Sequence, residues 1–193
     1  MRSLYTFKPT FQKGAMLPFA RDLRRLGNAF QAGRTPKYSL IDVDMHGNGR
    51  GGLRQLSELG DFPCGISFAP ILSSRFVNSF RSVLEMSGRF LPIRCNDVPQ
   101  EEYVLFVVNA TAGSVDVEQS RDRDPDTGEL LCPAFIEQNI PDLAVFRPRE
   151  APLFVLWSDW FVAQSKSVSL TGFEQLLTWS SDASLIPHPR AFQ

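Results

Sequence analysis

The sequence predicts an α+β fold, with a mainly antiparallel sheet and a few packed helices in a single compact unit. Three observations carry that expectation. The composition is ordinary for a globular chain, 43% hydrophobic and 21% charged over 193 residues; this excludes a disordered chain, a coiled coil and a collagen-like fibre. A chain of this mass buries about 70% of its surface on folding, enough for a core that needs no metal or disulfide. Segments of period two and period 3.6 follow one another without the regular strand–helix–strand alternation of a parallel sheet. No internal repeat is visible.

Taken in order, Leu4 to Phe7 alternates loosely and reads as a first strand. Pro18 opens a helix on which Phe19, Leu23, Leu26 and Phe30 share a face, and Gly33 ends it. Arg21, Arg24 and Arg25 fall mostly on its other side and read as a solvated face. Residues 38–45 read as a strand, followed by a glycine-rich turn at 47–52 and a short helix from Leu53 to Leu59. The clearest helix is 74–87. Phe76, Phe80, Val83 and Leu84 form its apolar stripe, Ser73 or Ser74 caps its start, and Gly88 suits its end. Strands are expected at 90–95 and 103–109, then a polar, turn-rich stretch at 116–129. Two further strands fit 143–147 and 153–157, a short helix starts at Ser158, and a last strand fits 173–179. The tail around Pro187-His188-Pro189-Arg190 reads as loose.

Charge is unevenly distributed. Residues 1–60 hold 10 basic and 4 acidic side chains, whereas residues 61–193 hold 10 and 17, so a net of +6 faces a net of −7. Such asymmetry fits a polar partner or two faces of opposite sign. The three cysteines, Cys64, Cys95 and Cys132, form no CxxC pair, which suits a reducing compartment. No apolar run is long enough to span a membrane. Lys8 and Lys13 interrupt the start before any long apolar stretch, so it does not read as a secretory signal. The expected compartment is the cytoplasm.

No residue constellation reads as an active site. Gly47-Asn48-Gly49-Arg50-Gly51-Gly52 matches G-x-G-x-x-G, but Leu72 stands where a ribose-binding acid is needed. Asp42-x-Asp44-x-His46-Gly47 and Asp122-x-Asp124-x-Asp126 have the spacing of calcium loops. Leu53 and Pro133 occupy the twelfth positions, where a bidentate Glu belongs. Gly65-Ile66-Ser67-Phe68-Ala69 falls one residue short of a nucleophile elbow, with only His46 and His188 available as base. The residues therefore predict no catalytic site, no cofactor and no metal. Trp157, Trp160 and Phe161 cluster beside Ser158 and Asp159, as a core or as an interface anchor.

From residue 65 onward, Ile71-Leu72-Ser73-Ser74-Arg75-Phe76 at a helix start, Leu91-Pro92-Ile93, and Tyr103 to Asn109 followed by Val115 to Ser120 carry a resemblance to a bacterial immunity-protein family, the Imm11 family or domain of unknown function 1629. It continues in Val145-Phe146-Arg147, Leu153-Phe154-Val155, Ser158-Asp159 and Leu170-Thr171-Gly172-Phe173. The order and spacing of these segments carry it, more than any single one. Residues 1–64 then read as a variable region packed on the core, 65–180 as the family-like domain and 181–193 as a tail. The Asp-rich loop at 121–129 departs from the family pattern.

The resemblance implies a cytoplasmic antidote that binds and neutralises a cognate toxin in competition between bacteria, without catalysis. Many such toxins are nucleases with basic clefts. Residues 97–142 carry 11 acids against Arg121 and Arg123, a net of −9, and suit such a cleft. The candidate contact residues are Asp122, Asp124, Asp126, Glu129, Trp157 and Trp160. Two other classes are a nucleic-acid-binding accessory protein using the basic N-terminal segment, and a serine hydrolase built on Ser67. Neither nucleic acid nor membrane is expected as a partner of the antidote.

Overall fold

Alternating side chains make Ser3–Pro9 a strand, β1: Leu4, Thr6 and Phe7 are buried while Ser3 and Tyr5 are partly exposed. A computed structural model describes residues 1–10, 14–34, 37–47, 59–63, 68–95, 101–123 and 130–191. The remaining strands are β2 (Gly14–Pro18), β3 (Ile41–Gly47), β4 (Ile71–Ser73), β5 (Gly88–Arg94), β6 (Tyr103–Val108), β7 (Thr111–Ala112) and β8 (Val115–Arg123). They continue with β9 (Leu130–Phe135), β10 (Val145–Pro148), β11 (Leu156–Ser158) and β12 (Phe173–Ser180). Helices are α1 (Ala20–Gln31), α2 (Ser74–Glu85) and α3 (Asp159–Ser165). The fold is α+β, as the sequence predicts.

Two five-stranded sheets form the frame. One runs β12-β1-β11-β10-β7 and the other β2-β3-β5-β6-β4, with β8 and β9 as a separate ribbon. Pairing is antiparallel except at β7–β10 and β3–β5. The N-terminal strand lies between β12 and β11, so the first residues and the last strand share one sheet.

Helix α2 sits between the sheets. Its Phe76, Phe80 and Leu84 join Phe7 and Trp157 from the first sheet and Leu72, Phe106 and Val108 from the second. Strand β6 is buried on both faces. Phe106 and Val108 point to this central core, while Tyr103, Leu105 and Val107 point to a second core under α1, with Leu26 and Phe30. A third cluster joins Leu4, Phe146 and Leu156 to Val115 and Phe135 of the ribbon.

Several expectations change in detail. On α2, Val77 joins the core and Val83 is only partly buried, because at about 100° per residue the buried arc of Phe76, Phe80, Leu84 and Val77 is turned slightly past the expected stripe and leaves Val83 at its margin. Gly88 opens β5 instead of ending α2; a Cβ there would stand 2.2 Å from the carbonyl oxygen of Val107. The polar stretch from Val115 to Arg123 is a strand, with a register shift between Asp116 and Arg121. The C-terminal tail is tied down: the His188 backbone N–H donates to the Leu177 carbonyl at 2.8 Å, Arg190 pairs with Glu174 and Ala191 is fully buried. The expected helix at 53–59 lies outside the described residues except for Leu59, which is buried.

Candidate interaction surface

The tryptophan cluster divides at the start of α3. Successive helix positions differ by about 100°, so Phe161 turns inward and Trp160 outward. Trp157, on β11, is 1% exposed and stacks on Phe7 at 4.4 Å between ring centroids. It also stacks on Phe161 at 5.2 Å. Trp157 is therefore a core residue and presents no surface to a partner, which corrects its place among the candidate contacts. Trp160 is 38% exposed. Its ring stands edge-on to Phe161 at 6.1 Å, and its backbone N–H donates to Asp159 Oδ1 at 2.8 Å. The other oxygen of Asp159 accepts from the Ser3 N–H at 3.1 Å, fixing the helix start to β1.

Beside Trp160 runs an apolar groove of about 340 Å³ lined by Val83, Met86, Asp142, Leu143, Ala144 and Trp160. Met86, at the end of α2, is 69% exposed. A larger cleft of about 700 Å³ lies between α2 and strands β5 and β6. There the Arg81 guanidinium lies 5.3 Å from the Phe90 ring centroid and also pairs with Glu85.

The acidic run does not form one patch among the described residues. Glu101 and Glu102 precede β6, whereas Asp116 and Glu118 lie on the ribbon beyond its other end. Strand β6, itself about 20 Å long, and β7 lie between them along the chain. On β8, Asp116 Oδ1 accepts from the N–H groups of Glu118 and Gln119, both at 3.1 Å, shaping the irregularity that leaves Val117 to Gln119 exposed. Asp122 lies on β8. Asp124, Asp126 and Glu129 lie outside the described residues, as do Ser67 and Asn48 to Gly52. Asp42 pairs with Arg94 at 2.6 Å, an ion pair that occupies one end of the first Asp-rich motif.

A polar centre not predicted from sequence ties the fold together at Asp61. Its Oδ1 accepts from Ser73 Oγ at 2.6 Å and Arg75 Nε at 3.1 Å. Its Oδ2 accepts from the Thr171 N–H at 2.7 Å and from Arg75 Nη2. Ser73 Oγ in turn accepts from the Phe76 N–H at 3.0 Å and so caps α2. Burial pushes the Asp61 carboxyl up, but the hydrogen bonds from Arg75, Ser73 and Thr171 and the charge of Arg75 outweigh it, holding the pKa below the ordinary value. Next to it Gly60 and Gly172, both at positive φ (66° and 87°), meet back to back. The Tyr103 hydroxyl donates to the Gly60 carbonyl at 2.9 Å. Two segments that carry the family resemblance, Ile71–Phe76 and Leu170–Phe173, therefore meet at one carboxylate. The signal in the sequence was the pair of polar marks, Ser73-x-Arg75 and Thr171-Gly172, without an assigned partner.

Comparison with protein-family models and with curated proteins finds no match to this chain.

Proposed function

We propose that the chain is an immunity protein that binds and neutralises a cognate bacterial toxin in the cytoplasm, without catalysis of its own. The observation that supports this reading most is the convergence at Asp61. Segments about a hundred residues apart, each carrying part of the resemblance, lock into one polar centre, as parts of a single structural unit do. Neutralisation by blocking requires only a rigid complementary surface, and an exposed tryptophan on a fixed helix is of that kind.

The test is co-expression with the protein encoded by the adjacent reading frame. Rescue of growth together with a stable complex of the two purified proteins is expected. Toxicity that this chain does not relieve overturns the reading.

One observation favours a second reading, a nucleic-acid-binding accessory protein. Arg21, Arg24, Arg25, Arg34 and Lys37 are all exposed on or just after α1, while Asp22, the sole acid of that helix, is 5% exposed. This reading requires binding of the isolated chain to duplex DNA or RNA that weakens steeply with salt.

A further inference from the structure

We propose that the groove between α2 and α3 receives an apolar or aromatic side chain of a protein partner, flanked in that partner by a lysine or arginine. The identification of that partner with the toxin rests on the immunity reading; the chemistry of the groove does not.

Three features define the occupant. The floor and walls are apolar, from Val83, Leu143, Ala144 and the sulfur-bearing chain of Met86. Methionine adapts to varied shapes and makes favourable contacts with aromatic rings. Trp160 supplies a large, flat wall. Its ring stands edge-on to Phe161 and its backbone N–H is held by Asp159 Oδ1, so covering it costs less side-chain entropy than covering a longer, unsupported chain. Exposed tryptophans in such settings are frequent binding hot spots.

The third feature is charge. Asp142 is the one ionisable side chain among the groove's lining residues, and it is exposed. It makes no ion pair or hydrogen bond with any other described residue. Two residues back from that acid the chain is anchored, because the Ile140 N–H donates to the Glu137 carbonyl at 3.2 Å. An exposed carboxylate on an anchored stretch of backbone, lining an apolar groove, complements a cation held next to an apolar group, and disfavours an anion there.

Two experiments with the full chain test this, and they fail separately. The first uses small probes followed by NMR: tryptamine, an aromatic cation, and indole-3-acetate, its anionic counterpart. Tryptamine is expected to shift the Trp160 indole and Met86 methyl signals at about millimolar concentration, the range for a ligand of this size. Indole-3-acetate is expected to shift them less, and Asp142→Asn to remove the difference. Equal response to both probes, or none to either, overturns the charge and shape argument.

The second measures affinity for the protein encoded by the adjacent reading frame. Trp160→Ala is expected to weaken binding by about 30-fold or more, with Trp160→Phe recovering part of the loss. Met86→Lys, at a side chain 69% exposed, is expected to weaken it without altering the melting temperature. A complex that forms with wild-type affinity in both variants overturns the groove as the contact and leaves the immunity reading standing. Absence of any complex with the wild-type chain removes that reading, and the probe experiment then decides the groove alone.

Discussion

The guanidinium of Arg147 lies 3.9 Å over the ring centroid of Phe30, joining β10 to α1 across the edge of the second core. Arg147 is only 3% exposed. Its Nε donates to the Val108 carbonyl at 2.7 Å and its Nη1 to the Pro152 carbonyl at 3.1 Å. A buried cation is costly unless its protons and charge are met. Here two carbonyl oxygens and the face of an aromatic ring meet them. Burial pulls the pKa down to about 10. Arg147→Met keeps much of the volume but leaves both carbonyls without this donor. The expected loss is about 1–3 kcal/mol, read from the urea midpoint at neutral pH. Arg147→Lys cannot reproduce the fork and should lose stability as well.

Tyr103 and Arg147 should pull stability in opposite directions in alkali. Burial, with the charges of Glu102 and Asp61, pushes the Tyr103 hydroxyl up to about 12. The folded protein therefore holds that proton through a window in which the unfolded chain gives it up. The stabilisation is complete below about pH 10 and is lost as the pH rises towards 12. For Arg147 the folded pKa is the lower one, so the cost of its buried charge is relieved over the same range. Tyr103→Phe should flatten or reverse the alkaline decline, besides losing about 1 kcal/mol for the bond to Gly60. Urea unfolding followed from neutral to strongly alkaline pH measures it; an unchanged alkaline slope refutes the assignment.

Asp61 contributes to the acid limb. Its carboxyl is held below the ordinary aspartate value by the hydrogen bonds and charge of its partners acting against burial. Its contribution is present above the unfolded pKa of about 3.9 and is lost as the pH falls through the lower folded value. Asp61→Ala should cost about 2–3 kcal/mol at neutral pH, because hydrogen bonds to a charged acceptor are lost and the cap of α2 is loosened. The variant should also lose less stability between neutral pH and pH about 3 than the wild type does. Arg75→Ala should cost less, since that side chain is 54% exposed.

The contact between Gly60 and Gly172 separates backbone strain from collision. A Cβ on Gly60 would lie 2.7 Å from the Gly172 Cα, and one on Gly172 would lie 2.9 Å from the Gly60 Cα. Gly33 also has a positive φ, 64°, but a Cβ there meets nothing within 4 Å. Gly33→Ala should therefore cost only the left-handed penalty of about 1–2 kcal/mol. Gly60→Ala and Gly172→Ala should add about 1–3 kcal/mol for overpacking against backbone. Thermal or urea melts of the three variants give the comparison, and equal losses would deny the collision.

Elements that carry their own period were legible in the sequence. Helix α2 shows its Phe76–Phe80–Leu84 spacing and its Ser73 cap, and β6 is a plain β-forming run. Strand β2 was not legible, because Gly14 and Pro18 at its ends read as punctuation and its partner β3 is distant in sequence. Strand β8 was hidden because Asp116, Ser120 and the exposed residues between them satisfy local hydrogen bonds in a polar ribbon. The inside–outside split of Trp157 and Trp160 depends on where α3 begins, a boundary set by Asp159 bonding back to Ser3. Asp61 was missed because its partners come from two segments, both separated from it in sequence. No local pattern marks a carboxylate whose partners lie 12 to 110 residues away.

The Asp-rich segment and the Trp160 groove are expected to make different kinetic contributions to the proposed complex. Asp122 lies on β8, and Asp124 and Asp126, outside the described residues, follow it in sequence, a few positions after the exposed Val117, Glu118 and Gln119. Charges at the rim of an interface mainly steer the encounter, whereas a buried anchor governs dissociation. Replacing the three aspartates together by Lys should slow association with the cognate toxin about tenfold or more at low ionic strength. The dependence of that rate on salt should shrink or change sign. Dissociation should change little. Trp160→Ala should do the reverse, raising the dissociation rate and sparing association. Stopped-flow measurements at two ionic strengths, on both variants, resolve the two effects. An association rate untouched by the triple reversal would remove the ribbon from the interface and leave the groove as the sole proposed contact.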